Sequence, residues 1–127
     1  MVRTVALATT LLILTSCDSP QRSYRAAQRA EHDGDAARAL ILYDQAAQSP
    51  DAAIAAPALA AAAALCWPAG DDPEGAETRC EDLVARHPGT PDAGGCLRRI
   101  ASIRAARGDH WGAIDAWREF LAQRPDD

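Results

Sequence analysis

Two Gly-Asp pairs far apart in the chain are followed by the same succession of side chains. Gly34-Asp35 leads to Ala39, Tyr43, Ala46 and Pro50, and Gly108-Asp109 leads to Ala113, Trp117, Phe120 and Pro125. In both, a small residue stands five positions after the glycine, an aromatic nine, an apolar residue twelve, and a proline sixteen or seventeen. Such a pattern reads as a helix hairpin. Glycine permits the turn after a first helix, aspartate starts the second, and proline ends it. The alanine lets two helices approach and the aromatic fills the space between them. Ala76, Cys80, Leu83 and Pro88 keep the same order between these units, behind a longer turn, Pro68-Ala69-Gly70-Asp71-Asp72-Pro73. No alternating β-branched run argues for strands. The expected fold is therefore all-α, about three antiparallel helix pairs stacked as a short solenoid.

A chain of 127 residues fits one domain with a modest core. Alanine accounts for 30 residues, and all 13 basic residues are arginine, a bias that looks compositional rather than functional. The net charge of −5, with arginines interspersed among acids, argues against nucleic acid as a partner. The alanine-rich stretch from Ala52 to Leu65 can be read as a low-complexity linker or as a helix. Alanine's helix propensity and a cap at Asp51 favour the helix, with Pro57 in its first turn or at a kink. Thin side chains there should make this repeat the least stable.

The pattern resembles the tetratricopeptide repeat, whose unit is about 34 residues. The resemblance is strongest from Gly94 to Pro125, moderate from Ser23 to Pro50 and weak between. His87-Pro88-Gly89-Thr90-Pro91-Asp92-Ala93, then Gly108-Asp109 and Ala113-Ile114-Asp115-Ala116-Trp117-Arg118-Glu119-Phe120-Leu121, is similar to the repeats of envelope proteins in outer-membrane assembly and Tol–Pal coordination. That likeness implies a tethering or scaffolding role. The sequence departs from the repeat where Ala26, Ala27, Ala30 and Ala60 to Ala64 replace larger residues, and where Phe120 stands in place of alanine.

The first residues suggest where such a body would work. Arg3 precedes an apolar stretch from Val5 to Leu14, and Thr15-Ser16 lead to Cys17, the layout of a secretory signal peptide. The stretch is short of the roughly 20 residues that span a bilayer. Leu14-Thr15-Ser16-Cys17 resembles the lipobox of bacterial lipoproteins, which implies cleavage before Cys17 and a covalent diacylglycerol and acyl chain on it. An ordinary signal peptide that happens to end in cysteine is the alternative. The expected division is a cleaved signal peptide over 1–16, a lipidated tether over 17–21 and a helical body over 22–127. Two or more acyl chains anchor stably, so the body is expected at the non-cytoplasmic side of a membrane, inner or outer undecided. Four residues, Asp18 to Gln21, reach at most about 14 Å, which keeps the body close to the lipid.

With Cys17 lipidated, Cys66, Cys80 and Cys96 remain, enough for one bridge and one leftover thiol. If helices run about Pro73 to His87 and Pro91 to Arg107, Cys80 and Cys96 lie about 10 and 8 Å above their connecting turn and can face one another. Cys66 and Cys80, at about 2 and 11 Å, match poorly. The spacing favours Cys80–Cys96, and the alternative of three small buried apolar residues stays open. A metal site with His87 would lack any Cys-x-x-Cys pair.

No catalytic motif is present: no Gly-x-Ser-x-Gly, phosphate loop or His-Glu-x-x-His, and His32, His87 and His110 sit near predicted turns without a partnered nucleophile. The reading is a non-enzyme without a metal site. Trp117 shares the packing position of Tyr43 and reads as core, whereas Trp67 and Trp111 flank turns and are open to either core packing or ligand stacking. Repeat solenoids bind along their first helices, and the repeat phase directs Tyr24, Gln28, Glu31, Arg98 and Ser102 to that groove. The face of Ile114, Trp117 and Leu121 has no capping helix after it, leaving it for a partner or a second copy. The expectation is a membrane-anchored adaptor that recognises an envelope protein or peptide segment. The alternatives are a spacer lipoprotein without recognition, or a redox-responsive accessory protein using Cys66.

Overall fold

The computed structural model describes residues 19–123. The signal-peptide, lipobox and Cys17 readings, and Pro125, lie outside the described residues. Six helices follow in order: α1 (Pro20–His32), α2 (Ala36–Ala46), α3 (Ala52–Cys66), α4 (Pro73–Arg86), α5 (Pro91–Ala106) and α6 (His110–Ala122). There is no strand among the described residues. Helix α1 already begins at Pro20, inside the stretch read as tether.

Every helix starts on a side chain that accepts from its first turn. Ser19, Asp35, Asp51, Asp72, Thr90 and Asp109 take the N–H of Arg22, Arg38, Ala53, Gly75, Ala93 and Gly112, satisfying donors that the helix leaves unpaired. The caps of the three second helices, Asp35, Asp72 and Asp109, fall at equal intervals along the chain. The two Gly-Asp turns are built alike. Gly34 and Gly108 take φ of 79° and 83°, and the N–H of Asp35 and Asp109 returns to Ala30 and Arg104 carbonyls at 2.9 and 2.8 Å. A side chain with a Cβ would be strained at either glycine.

Each helix packs on the next in sequence, and the first helices also touch in a row, α1 on α3 and α3 on α5. The second helices do not pack directly on one another; arginines span the wider gaps. From α4, Arg79 reaches Asp44 of α2, and Arg86 reaches the Ala47 carbonyl. The molecule is thus a short solenoid of three hairpins, with its first helices set more closely than its second ones. The cause lies in the sequence: α3, in the middle of the row, is mostly alanine, and Ala55, Ala56, Ala58, Ala62 and Ala63 are all buried. The stretch is a helix and not a linker. Pro57 sits in its second turn, where it leaves the Ala53 carbonyl without its usual acceptor role.

The aromatic position of the hairpin shows three outcomes. In the first hairpin Tyr43 is 2% exposed. In the middle one the slot holds Cys80, which forms a disulfide to Cys96 of α5, with Cα atoms 4.9 Å apart. In the last, Trp117 is 43% exposed. The core reading of Trp117 is therefore corrected: α3 packs on α2 and encloses Tyr43, but no described helix packs on the outer side of α6.

Candidate functional site

The end of α3, the outer face of α5 and the middle of α6 enclose a groove of about 470 Å³. Its walls are Trp67 with Pro68 on one side and Trp117 on the other, and Arg98, Arg99 and Ser102 rise between them. Little more than one turn of α5 supplies these residues, because Arg98 and Ser102 are one turn apart and Arg99 is next to them on the helix surface. The C-terminal end of α3 brings Trp67 over them, since the chain leaves that helix by a six-residue connection in place of the short Gly-Asp turn.

Two cations in this groove lack an acid. Arg99 donates from Nη1 to the Trp67 carbonyl at 2.6 Å, and burial pushes its guanidinium below the ordinary arginine pKa. Arg98 lies 5.6 Å over the ring of Phe120, a cation–π contact that orients it without neutralising it. Phe120 in turn meets Trp117 edge-on at 5.8 Å. The other described arginines from α4 to α6, Arg79, Arg86, Arg104, Arg107 and Arg118, all reach a carboxylate. The Ser102 hydroxyl donates to the Arg98 carbonyl at 3.1 Å and keeps lone pairs for a second donor. The groove can therefore hold an anionic group flanked by flat or apolar surface. Among the residues that line it, no nucleophile has a base beside it.

The residues phased toward the groove from the sequence separate into two settings. Arg98 and Ser102 come together here. Tyr24 and Glu31, on α1, are engaged with Tyr43: the rings of Tyr24 and Tyr43 meet edge-on at 5.6 Å, and the Tyr43 hydroxyl donates to Glu31 at 2.6 Å. Burial first, then that bond and the Glu31 charge, push the Tyr43 pKa up. Gln28 lines a shallow depression with Arg25, Arg29, His32 and Asp33, and α1 does not touch α5. The sequence reading left out Pro68 and Arg99, left Trp67 open between core and ligand contact, and placed Trp117 in the core. Two adjacent arginines without nearby acids on α5 were the available signal.

Cys66 is a buried free thiol, and burial pushes its pKa up. Among the described residues no group of His, Cys, Asp and Glu is arranged to hold a metal ion, and no helix is long and apolar enough to cross a membrane. His87 Nε2 and Gln123 Oε1 are buried without a hydrogen-bond partner. Compared with known proteins, the chain matches no family model and no curated sequence.

Proposed function

We propose that this chain is a membrane-anchored lipoprotein of the cell envelope, with diacylglycerol and acyl chains on Cys17, whose tetratricopeptide-like body is an adaptor for a protein segment. The observation that carries the reading is the α5 groove. A chain of net charge −5 keeps Arg98 and Arg99 together there, without carboxylates, between Trp67 and Trp117. An extended or helical segment bearing a carboxylate beside an apolar or aromatic side chain fits this chemistry, since guanidinium groups pair planar anions and tryptophan supplies rigid contact area. The spacer alternative requires no such groove.

A photo-crosslinking residue at Ser102, introduced into the chain in its own membranes, tests the reading. It should trap one discrete partner band, and adding Arg98→Glu should abolish it. A crosslinking pattern that Arg98→Glu leaves unchanged would favour the spacer. Intact mass of the membrane-extracted protein tests the anchor separately: it should begin at Cys17 and carry a diacylglycerol increment.

A further inference from the structure

The solenoid has two ends of opposite character, and the α1 end carries a message of its own. The matching Gly-Asp turns put α1 and α5 in the same register, so each α1 position has a counterpart in α5. In α5, Cys96 is bridged to Cys80 and Arg99 leans on the Trp67 carbonyl, both toward the preceding hairpin, and Ile103, one turn on from Arg99, is buried. Their counterparts in α1 are Arg22, Arg25 and Arg29, all exposed. Helix α1 packs on α2 and α3 only. Where the last hairpin has a packing surface, the first has an arginine face, extended by His32 at the far end of the helix.

Acids near that face gather at its far end, where Asp33 shares a depression with Arg25, Arg29 and His32, and Asp33 and Asp35 line another with Arg29. No acid occupies the first turn of α1, Glu31 is turned to the Tyr43 hydroxyl, and Asp33 stands at the C-cap. A row of this kind is not a surface for a second copy's α6, whose exposed Trp111, Ile114 and Leu121 are apolar. It matches a plane of negative charge.

We propose that α1 lies flat on an anionic phospholipid surface through Arg25 and Arg29, so that the lipid anchor and this face together fix the orientation of the solenoid. The proposal rests on the lipoprotein reading above. If Cys17 is in the bilayer, only Asp18 and Ser19 separate it from the first turn of α1. Thirteen residues make α1 about 20 Å long. Standing upright, the helix would place His32 about two Debye lengths from the head groups at 0.1 M salt. Lying flat, it places both arginines within reach of lipid phosphates, where basic residues beside an acyl anchor add to its hold. The flat orientation also directs α6 and its aromatic face away from the membrane.

The test uses the full lipidated protein reconstituted into vesicles of phosphatidylcholine alone or mixed with phosphatidylglycerol. An environment-sensitive fluorophore is attached at His32→Cys, or at Ala122→Cys on α6. Flotation should show the protein on both vesicle types. The His32→Cys probe should then shift to the blue only with phosphatidylglycerol, and lose the shift in Arg25→Gln/Arg29→Gln and in roughly 0.5 M salt. The Ala122→Cys probe should not shift. Flotation on both vesicles with the same His32→Cys emission in each overturns the α1 proposal and leaves the anchor standing. Flotation on neither overturns both. A shift that ignores lipid composition and appears only with an added acidic protein makes this face a protein-binding one, and also overturns the proposal.

Discussion

Arg79 on α4 clasps Asp44 on α2 with two parallel hydrogen bonds, Nε to Oδ1 at 2.9 Å and Nη2 to Oδ2 at 2.7 Å. This pair crosses between hairpins on the side where the helices stand apart, so the fork geometry of arginine substitutes for packing. The same guanidinium also holds the Gly75 carbonyl at 3.0 Å.

Arg79→Met keeps the stem and removes the clasp. Asp44 is 42% exposed, which weakens the pair by solvent screening, so the expected loss is about 1 kcal/mol. Urea unfolding should show that loss at low salt and less of it in ~1 M salt.

Cutting the Cys80–Cys96 bridge should cost more. The two residues are 16 apart in sequence, and closing a loop near that length is worth about 3 kcal/mol in a chain-entropy model. Reductant, or Cys80→Ser with Cys96→Ser, should lower the unfolding free energy from urea titration by a similar amount. Cys66 should resist alkylation in the folded protein, because the thiol is buried and its pKa is pushed up.

Glu77 links α4 to both Arg104 and Arg107 of the α5 end. Burial pushes its carboxyl pKa up, but the hydrogen bonds from Arg104 and Arg107 and their charges outweigh it and hold the pKa below the ordinary value. A depressed folded pKa means stability that is present above the unfolded carboxyl pKa of about 4.3 and lost as pH falls through the folded one. Glu77→Gln should therefore be less stable than the wild type at neutral pH. The gap should narrow as pH is lowered below about 5; a constant gap down to acid pH would contradict the assignment.

Tyr43 carries the opposite sign. Its raised pKa means that the stability tied to the protonated phenol is complete below the unfolded tyrosine value of about 10 and lost as pH rises through the folded one. Tyr43→Phe should cost about 1 kcal/mol at neutral pH through loss of the Glu31 bond. Thermal melts across the alkaline range should show the variant falling less steeply than the wild type.

The helices were legible in the sequence because their punctuation is local. Asp35 and Asp109 cap what they were expected to cap, and Gly34 and Gly108 adopt a backbone open to glycine at little cost. What could not be read locally was who covers whom. Tyr43 and Trp117 stand at the same repeat position, and only the presence of α3 behind one of them separates core from surface. The groove divides in the same manner. Arg98 and Ser102 follow from helix phase, but Trp67 reaches Arg99 through a connection that breaks the repeat. On α1, phase alone assigns Glu31 outward and does not register the Tyr43 hydroxyl that holds it.

Alanine-lined α3 gives the row of first helices its gauge. With methyl groups as its only bulk on most of its buried surface, it works as a thin shim between α1 and α5, and its girth sets how sharply the array bends. A larger side chain at Ala62 would act as a wedge, splaying the first helices and flattening the arc on which the groove and the arginine face are mounted. The angle between the α1 arginine face and the α5 groove can then be adjusted from the middle of the molecule, by residues that line neither.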